Sequence, residues 1–138
     1  MTERSLILVK PDGVQRNLIG EVLSRFETKG YKIVDLKMLT PTEEILTQHY
    51  AEHEGKPFFR PLVEFMSSGP VVALILEGER VIEGARTIMG SSDPTTAPAG
   101  TIRGDLGRDW GEAVQKNLVH GSDSPESAER EIAIWFGA

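Results

Sequence analysis

The chain has 138 residues, a formal net charge of −6 and no cysteine; 39% of its residues are hydrophobic and 26% charged. That length suits a single domain, 1–138, with a core of its own, and the missing thiol excludes disulfide frameworks, thiolate metal centres and cysteine nucleophiles. The acidic balance speaks against a general nucleic-acid surface, so any anion site must be a local cluster of basic residues; no apolar run approaches a membrane span, and no leader precedes the first strand, which points to the cytoplasm.

Ser5 to Lys10 reads as a buried strand, ended by Pro11-Asp12-Gly13. Residues 18–29 have the periodicity of a helix, with Ile19, Val22, Leu23 and Phe26 on one face and Gly30 as its C-cap. Tyr31 to Leu39 alternates as a strand does. A helix follows, capped by Thr40 or Thr42 and running towards Tyr50. A short helix is expected near 61–66, a strand over Pro70–Leu76, and a helix over Glu79–Met89. Gly90, Gly100, Gly104, Gly107 and Gly111, with Pro94 and Pro98, mark 90–111 as a long irregular loop, a class that is usually functional or disordered. A last short strand ends at His120. Ser124 as N-cap, Pro125 at the first helical position and Glu126 then open a final helix to about Phe136, expected to bury Ala128, Ile132, Trp135 and Phe136. The order is β-α-β-α-α-β-α-β-α. Without the short inserted helix it is βαββαβ, the ferredoxin-like α+β pattern, with a four-stranded antiparallel sheet and helices on its faces.

The most informative stretch is Asn117-Leu118-Val119-His120-Gly121-Ser122-Asp123-Ser124-Pro125. It presents an imidazole at a strand end, beside small residues and a helix start that attracts anions. Lys10, Arg86 and Arg103 are the basic candidates. Lys10 sits where an apolar strand meets a turn. Arg103 lies in Gly100-Thr101-Ile102-Arg103-Gly104-Asp105, where glycines let a ligand approach the backbone and a guanidinium suits phosphate oxygens. No P-loop, protein-kinase glycine loop or G-x-G-x-x-G is present, so phosphates would be handled outside those designs. His49-Tyr50-Ala51-Glu52-His53 matches the short H-x-x-E-H metal pattern; its alternative is a polar helix end leading into a turn. Of the adjacent Phe58 and Phe59, one could offer a ring face to a nucleobase and both could be core.

Lys10-Pro11-Asp12-Gly13, His49-Tyr50, Pro57-Phe58-Phe59, Ser68-Gly69-Pro70-Val71-Val72, Gly100–Asp105 and Asn117–Ser124 together resemble the nucleoside diphosphate kinase family over nearly the whole chain. The resemblance implies a ping-pong reaction in which a nucleoside triphosphate passes its γ-phosphate to His120 and a second nucleoside diphosphate collects it. It further implies that Arg86, Arg103 and the Ser92 hydroxyl hold phosphate oxygens. Tyr50 would lie near the transferred group, Lys10 and Asn117 at the sugar hydroxyls, and Phe58 with Leu62 at the base. Glu131 would orient the imidazole, with Ser122 as its hydrogen-bond partner. Mg²⁺ would arrive on the nucleotide phosphates and not in a protein cage. The family favours a homohexamer, with a tetramer as the alternative. Two departures stand out: Ser92 occupies a position often held by threonine, and Leu106–Lys116 is a few residues longer than in most members. A zinc peptidase using His49 and His53, and a non-catalytic binding module, are the competing readings. Under the kinase reading neither His49 nor His53 has a catalytic role.

Overall fold

The computed structural model describes residues 2–112, 114 and 116–137. Four strands, β1 (Thr2–Val9), β2 (Lys32–Leu39), β3 (Val71–Glu79) and β4 (Val119–Gly121), form one sheet in the order β2-β3-β1-β4. Every neighbouring pair is antiparallel. The helices are α1 (Pro11–Gln15), α2 (Ile19–Lys29), α3 (Glu43–His49), α4 (Phe59–Met66), α5 (Val81–Met89), α6 (Ile102–Leu106) and α7 (Pro125–Phe136). A single 3-10 turn, Ala51–His53, follows α3. The expected βαββαβ core is therefore β1-α2-β2-β3-α5-β4.

The central strand β1 explains why its sequence is continuously apolar: both of its faces are buried. Ile7 and Val9 join a core with Val22, Phe26, Val81, Ala85 and Met89 from α2 and α5. Leu6 and Leu8 join a second core with Leu46, Val63, Met66 and Trp135 from α3, α4 and α7. Residue alternation sends Val119 and Gly121 of β4 to buried positions and leaves His120 half-buried. His120 pairs with Leu8, so its side chain stands on the α3/α7 face of the sheet.

Several boundaries differ from the sequence reading. The turn after β1 is a short helix, α1, with Pro11 in its first turn. The chain 90–111 is not wholly irregular, because Thr101 caps α6 by accepting the Gly104 N–H at 2.9 Å. Five-residue helices leave too short a period to be read from sequence. β3 runs on to Glu79, and α5 starts only after Arg80, which takes a left-handed conformation. Of the four residues expected to be buried on α7, Ala128 and Trp135 are, whereas Ile132 and Phe136 are half-buried. Thr42 is the cap of α3. Gly30 caps α2 at φ 104°, and Ser124 caps α7 through the Ser127 N–H at 3.1 Å. The outer strand β2 has a register irregularity between Ile33 and Asp35 and leaves Leu36 and Met38 exposed.

Candidate active site

Helix α7 buries Ala128, Glu131 and Trp135, a stripe at i, i+3 and i+7 whose middle member is a carboxylate. Glu131 is 5% exposed and needs partners. It finds them on β4 and just beyond it. Its Oε1 lies 3.0 Å from His120 Nε2 and accepts the Ser122 hydroxyl at 2.7 Å. Ser122 Oγ in turn accepts the Leu6 N–H at 3.0 Å, which ties the carboxylate to the central strand. Burial works to raise the Glu131 pKa. The hydrogen bond and charge of His120, then His49 and Ser122, outweigh it and hold the carboxyl below the ordinary range. An ionised Glu131 can only accept, so the proton of this bond sits on His120 Nε2, and in the neutral imidazole the lone pair is then on Nδ1.

His120 lines a cavity of about 310 Å³ whose basic side chains are Lys10, Arg86, Arg103 and Arg130. They converge there from the residue after β1 and from α5, α6 and α7. Arg103 is buried, and three of its N–H groups donate to main-chain carbonyls: Nε to Asn117 at 3.1 Å, and the terminal nitrogens to Gly90 at 2.9 Å and Val119 at 2.6 Å. Two of its five N–H groups remain for a ligand. Burial, then the neighbouring charge of Arg86, lowers its pKa to about 10, so it stays charged at neutral pH. Lys10 Nζ donates to Asn117 Oδ1 at 2.9 Å, and Asn117 Nδ2 donates to the Ser92 carbonyl at 3.0 Å. Burial, and then Arg103, bring the Lys10 pKa down to about 8. Arg86 reaches the Gly121 carbonyl at 3.3 Å. The main chain around His120 is thus held by the same cations that make the cavity positive.

The opposite side of the cavity is different. The Tyr50 hydroxyl and His53 Nδ1 are buried and have no hydrogen-bond partner. Burial, and then the charge of Glu131, raise the Tyr50 pKa, so its O–H remains a donor at working pH. Phe58 is 46% exposed and sits 5.2 Å, centroid to centroid, from His53.

The cavity therefore gathers Lys10, Tyr50, Arg86, Ser92, Arg103, Asn117, His120 and Glu131. Ser122 stands behind Glu131. Phe58 and Leu62 lie outside the lining; Phe58 borders it through His53, and Leu62 packs half-buried on the second core. The glycines beside Arg103 serve the chain itself: a Cβ on Gly104 would stand 2.0 Å from the Pro98 carbonyl oxygen. The segment after Leu106 carries Trp110, which lies under the guanidinium groups of Arg108 and Arg16, at 4.4 and 5.8 Å from the ring centroid. Its Ala113 and Gln115 lie outside the described residues.

His49 is not a polar helix end, as one sequence reading had it. It is 4% exposed, its Nδ1 accepts the Trp135 indole N–H at 3.0 Å, and its ring meets that of His120 at 4.7 Å, edge to face. Burial, then His120, push its pKa down to about 3. α3 ends at His49, so His49 and His53 do not share a helix, and the H-x-x-E-H geometry is lost. A nitrogen or oxygen from each of His49, His120 and Glu131 does come within 4.8 Å of the others. His120 Nε2 and Glu131 Oε1 hold each other, Ser122 donates to the same carboxylate oxygen, and Trp135 donates to His49 Nδ1. The position of His49 had a sequence signal: with Leu46 and Tyr50 it continues the buried phase of α3.

The sequence model described as "Nucleoside diphosphate kinase" matches residues 3–138. The nucleoside diphosphate kinase of Mycobacterium marinum is 59% identical over 137 residues, which cover 99% of this chain and 98% of the relative. That of Brevibacillus brevis is 54% identical over 136 residues, covering 99% and 90%. Among solved structures, a halophilic nucleoside diphosphate kinase from Halobacterium salinarum in complex with CDP superposes with a TM-score of 0.92 at 49% identity, over 100% of this chain and 90% of that one. Matches of this extent and identity place the chain in the nucleoside diphosphate kinase family, enzymes that move a phosphoryl group from a nucleoside triphosphate to a nucleoside diphosphate.

Proposed function

We propose that the enzyme works by a ping-pong route through a phosphohistidine at His120 Nδ1. The observation that carries this reading is the 3.0 Å bond between His120 Nε2 and Glu131, which leaves the other nitrogen as the nucleophile. In the first half-reaction Nδ1 takes the γ-phosphoryl group as the bond to the β-phosphate oxygen breaks, and the nucleoside diphosphate leaves. In the second half-reaction an incoming diphosphate takes the group back. The ring gains positive charge as it takes up the phosphoryl group and loses it as the group leaves, and the Glu131 carboxylate, itself fixed by Ser122, stabilises the charged ring between the two. Phosphoryl transfer asks chiefly for positioning and neutralised charge. Arg86, the two remaining N–H groups of Arg103 and the Ser92 hydroxyl supply these at the phosphates. The Tyr50 hydroxyl, buried without a partner, has a donor to give there. Lys10 and Asn117 hold each other and serve the sugar hydroxyls. Phe58 and Leu62 serve the base without reading its hydrogen-bond pattern.

Mg²⁺ comes bound to the substrate phosphates. The donor set at His120 is nitrogen-rich and internally bonded, which does not suit an ion that prefers oxygen and retains water. Glu52 and Asp123 also line the cavity and have oxygens to offer through water. No helix among the described residues is long and apolar enough to cross a membrane. A cytoplasmic location goes with the nucleotide substrates. A homohexamer, with a tetramer as the alternative, agrees with the exposed Leu36, Met38 and Trp110.

Incubation with γ-labelled ATP tests the function. The expected product is protein-bound phosphate that is acid-labile and base-stable, lost in His120→Ala together with all turnover, while the variant stays folded. Turnover by His120→Ala at the wild-type rate would overturn the reading.

A further inference from the structure

We propose that Asp12 is a positioning residue for phosphoryl transfer: by accepting the Leu118 N–H, its carboxylate holds a left-handed turn that sets where Asn117 and His120 stand. The inference rests on His120 being the phosphoryl acceptor.

Leu118 has φ 73°, although it is neither glycine nor asparagine. The Val119 N–H donates to the Asn117 carbonyl at 2.8 Å across it, closing a three-residue turn. A turn of this hand is rare and strained, and it persists only where its surroundings enforce it. Leu118 is fully buried, so water cannot satisfy its main chain. Its carbonyl accepts the Lys10 N–H at 2.8 Å, and its own N–H donates to Asp12 Oδ2 at 3.1 Å. Gly13 completes the clamp, since a Cβ there would stand 3.2 Å from the Leu118 oxygen and 2.8 Å from Val9 Cγ1. Lys10, Asp12 and Gly13 thus each act on the main chain of the same residue, one by main chain, one by side chain and one by lacking a side chain.

Asp12 is 7% exposed and does not line the cavity, so it acts through the turn and not on the substrate. Burial raises its pKa, against the charge of Lys10 and its backbone hydrogen bonds. The residues on either side of the turn are the ones that matter. Asn117 carries the bond from Lys10, and His120 lies two residues beyond Leu118. Misplacing a reacting atom by about 1 Å can cost on the order of 100-fold in rate.

The test is single-turnover phosphorylation of His120 at saturating ATP. Asp12→Ala should be slower by about 10- to 100-fold. Asp12→Asn keeps an oxygen for the Leu118 N–H and should stay within about threefold of the parent. Asp12→Asn as slow as expected for Asp12→Ala would mean that the charge matters and not the clamp, and would overturn the proposal. The same exchange in a Leu118→Gly background gives an independent check. Glycine takes φ 73° without support, so the added loss from Asp12→Ala should shrink to less than about threefold there. An equal loss in both backgrounds would also overturn it. Absence of phosphate on His120 in the parent enzyme would defeat the functional reading instead. A phosphorylated parent with an equally fast Asp12→Ala would defeat only the role of Asp12.

Discussion

The two sides of the cavity are built on opposite plans. Along β4 and α7 the protein has already spent its hydrogen bonds: Glu131 holds His120 and Ser122, Lys10 holds Asn117, and Arg103 holds three carbonyls. Along α3 and the start of α4, the Tyr50 hydroxyl and His53 Nδ1 are buried without partners, and Phe58 stands half in solvent. The difference follows the chemistry. A nucleophile must be fixed in tautomer and direction before the substrate arrives, and preorganised electrostatics are what lower the barrier. A base needs only an apolar face, and a donor meant for a phosphate must not be satisfied by the protein.

The largest effect should come from loosening the rigid side. Glu131→Gln keeps the shape and one acceptor but loses the charge that stabilises the imidazolium. The rate of His120 phosphorylation should fall about 10- to 1000-fold, with little change in nucleotide affinity. Rapid-quench measurement of the first turnover checks this. A loss confined to nucleotide binding would remove Glu131 from the catalytic assignment and erase the contrast between the two sides.

His49 stands at the seam of the two sides and should register as stability more than rate. Its pKa falls from 6.5 in the unfolded chain to about 3 in the native protein. Between those values the unfolded chain binds a proton that the folded one refuses, so stability drops as pH falls from about 6.5 towards 3, by up to about 1.4 kcal/mol per pH unit. His49→Gln, whose side-chain oxygen can accept the Trp135 N–H, should have a flatter acid limb in urea unfolding. Parallel limbs for the two proteins would show that other groups govern acid lability.

The smallest effect belongs to the open side. Phe58→Ala should reduce kcat/KM by less than about tenfold, and by a similar factor for purine and pyrimidine nucleotides, because a ring face does not discriminate among bases. A loss restricted to one base, or strict use of one base by the parent enzyme, would contradict an undiscriminating pocket.

What the sequence revealed follows the same division. The cap of α7 and the apolar run of β1 are local or periodic signals and were legible, whereas Glu131 beside His120 was an expectation that only the family resemblance supplied. The buried phase of His49 was open to view in Leu46, His49 and Tyr50, but the sequence reading weighed His49 only as half of an H-x-x-E-H pair with His53 or as part of a polar helix end. Asp12 read only as part of the turn and motif after the first strand, with nothing to tie it to Leu118. Its role depends on Leu118, 106 residues away, and on a positive φ that a leucine does not announce. α1 and α6 were missed because their lengths give no period. The glycines around Arg103 suggested room for a ligand, whereas Gly104 makes room for Pro98, a contact that only the folded chain defines.

In the proposed mechanism the Glu131–His120 bond leaves Nδ1 as the attacking nitrogen. Heteronuclear NMR of the ¹⁵N-histidine-labelled phosphoenzyme, read through ³¹P–¹⁵N coupling, tests it directly. The expected result is one phosphate bonded to His120 Nδ1, with Nε2 protonated and still hydrogen-bonded to Glu131. Phosphate on Nε2, or on any residue other than His120, would contradict it.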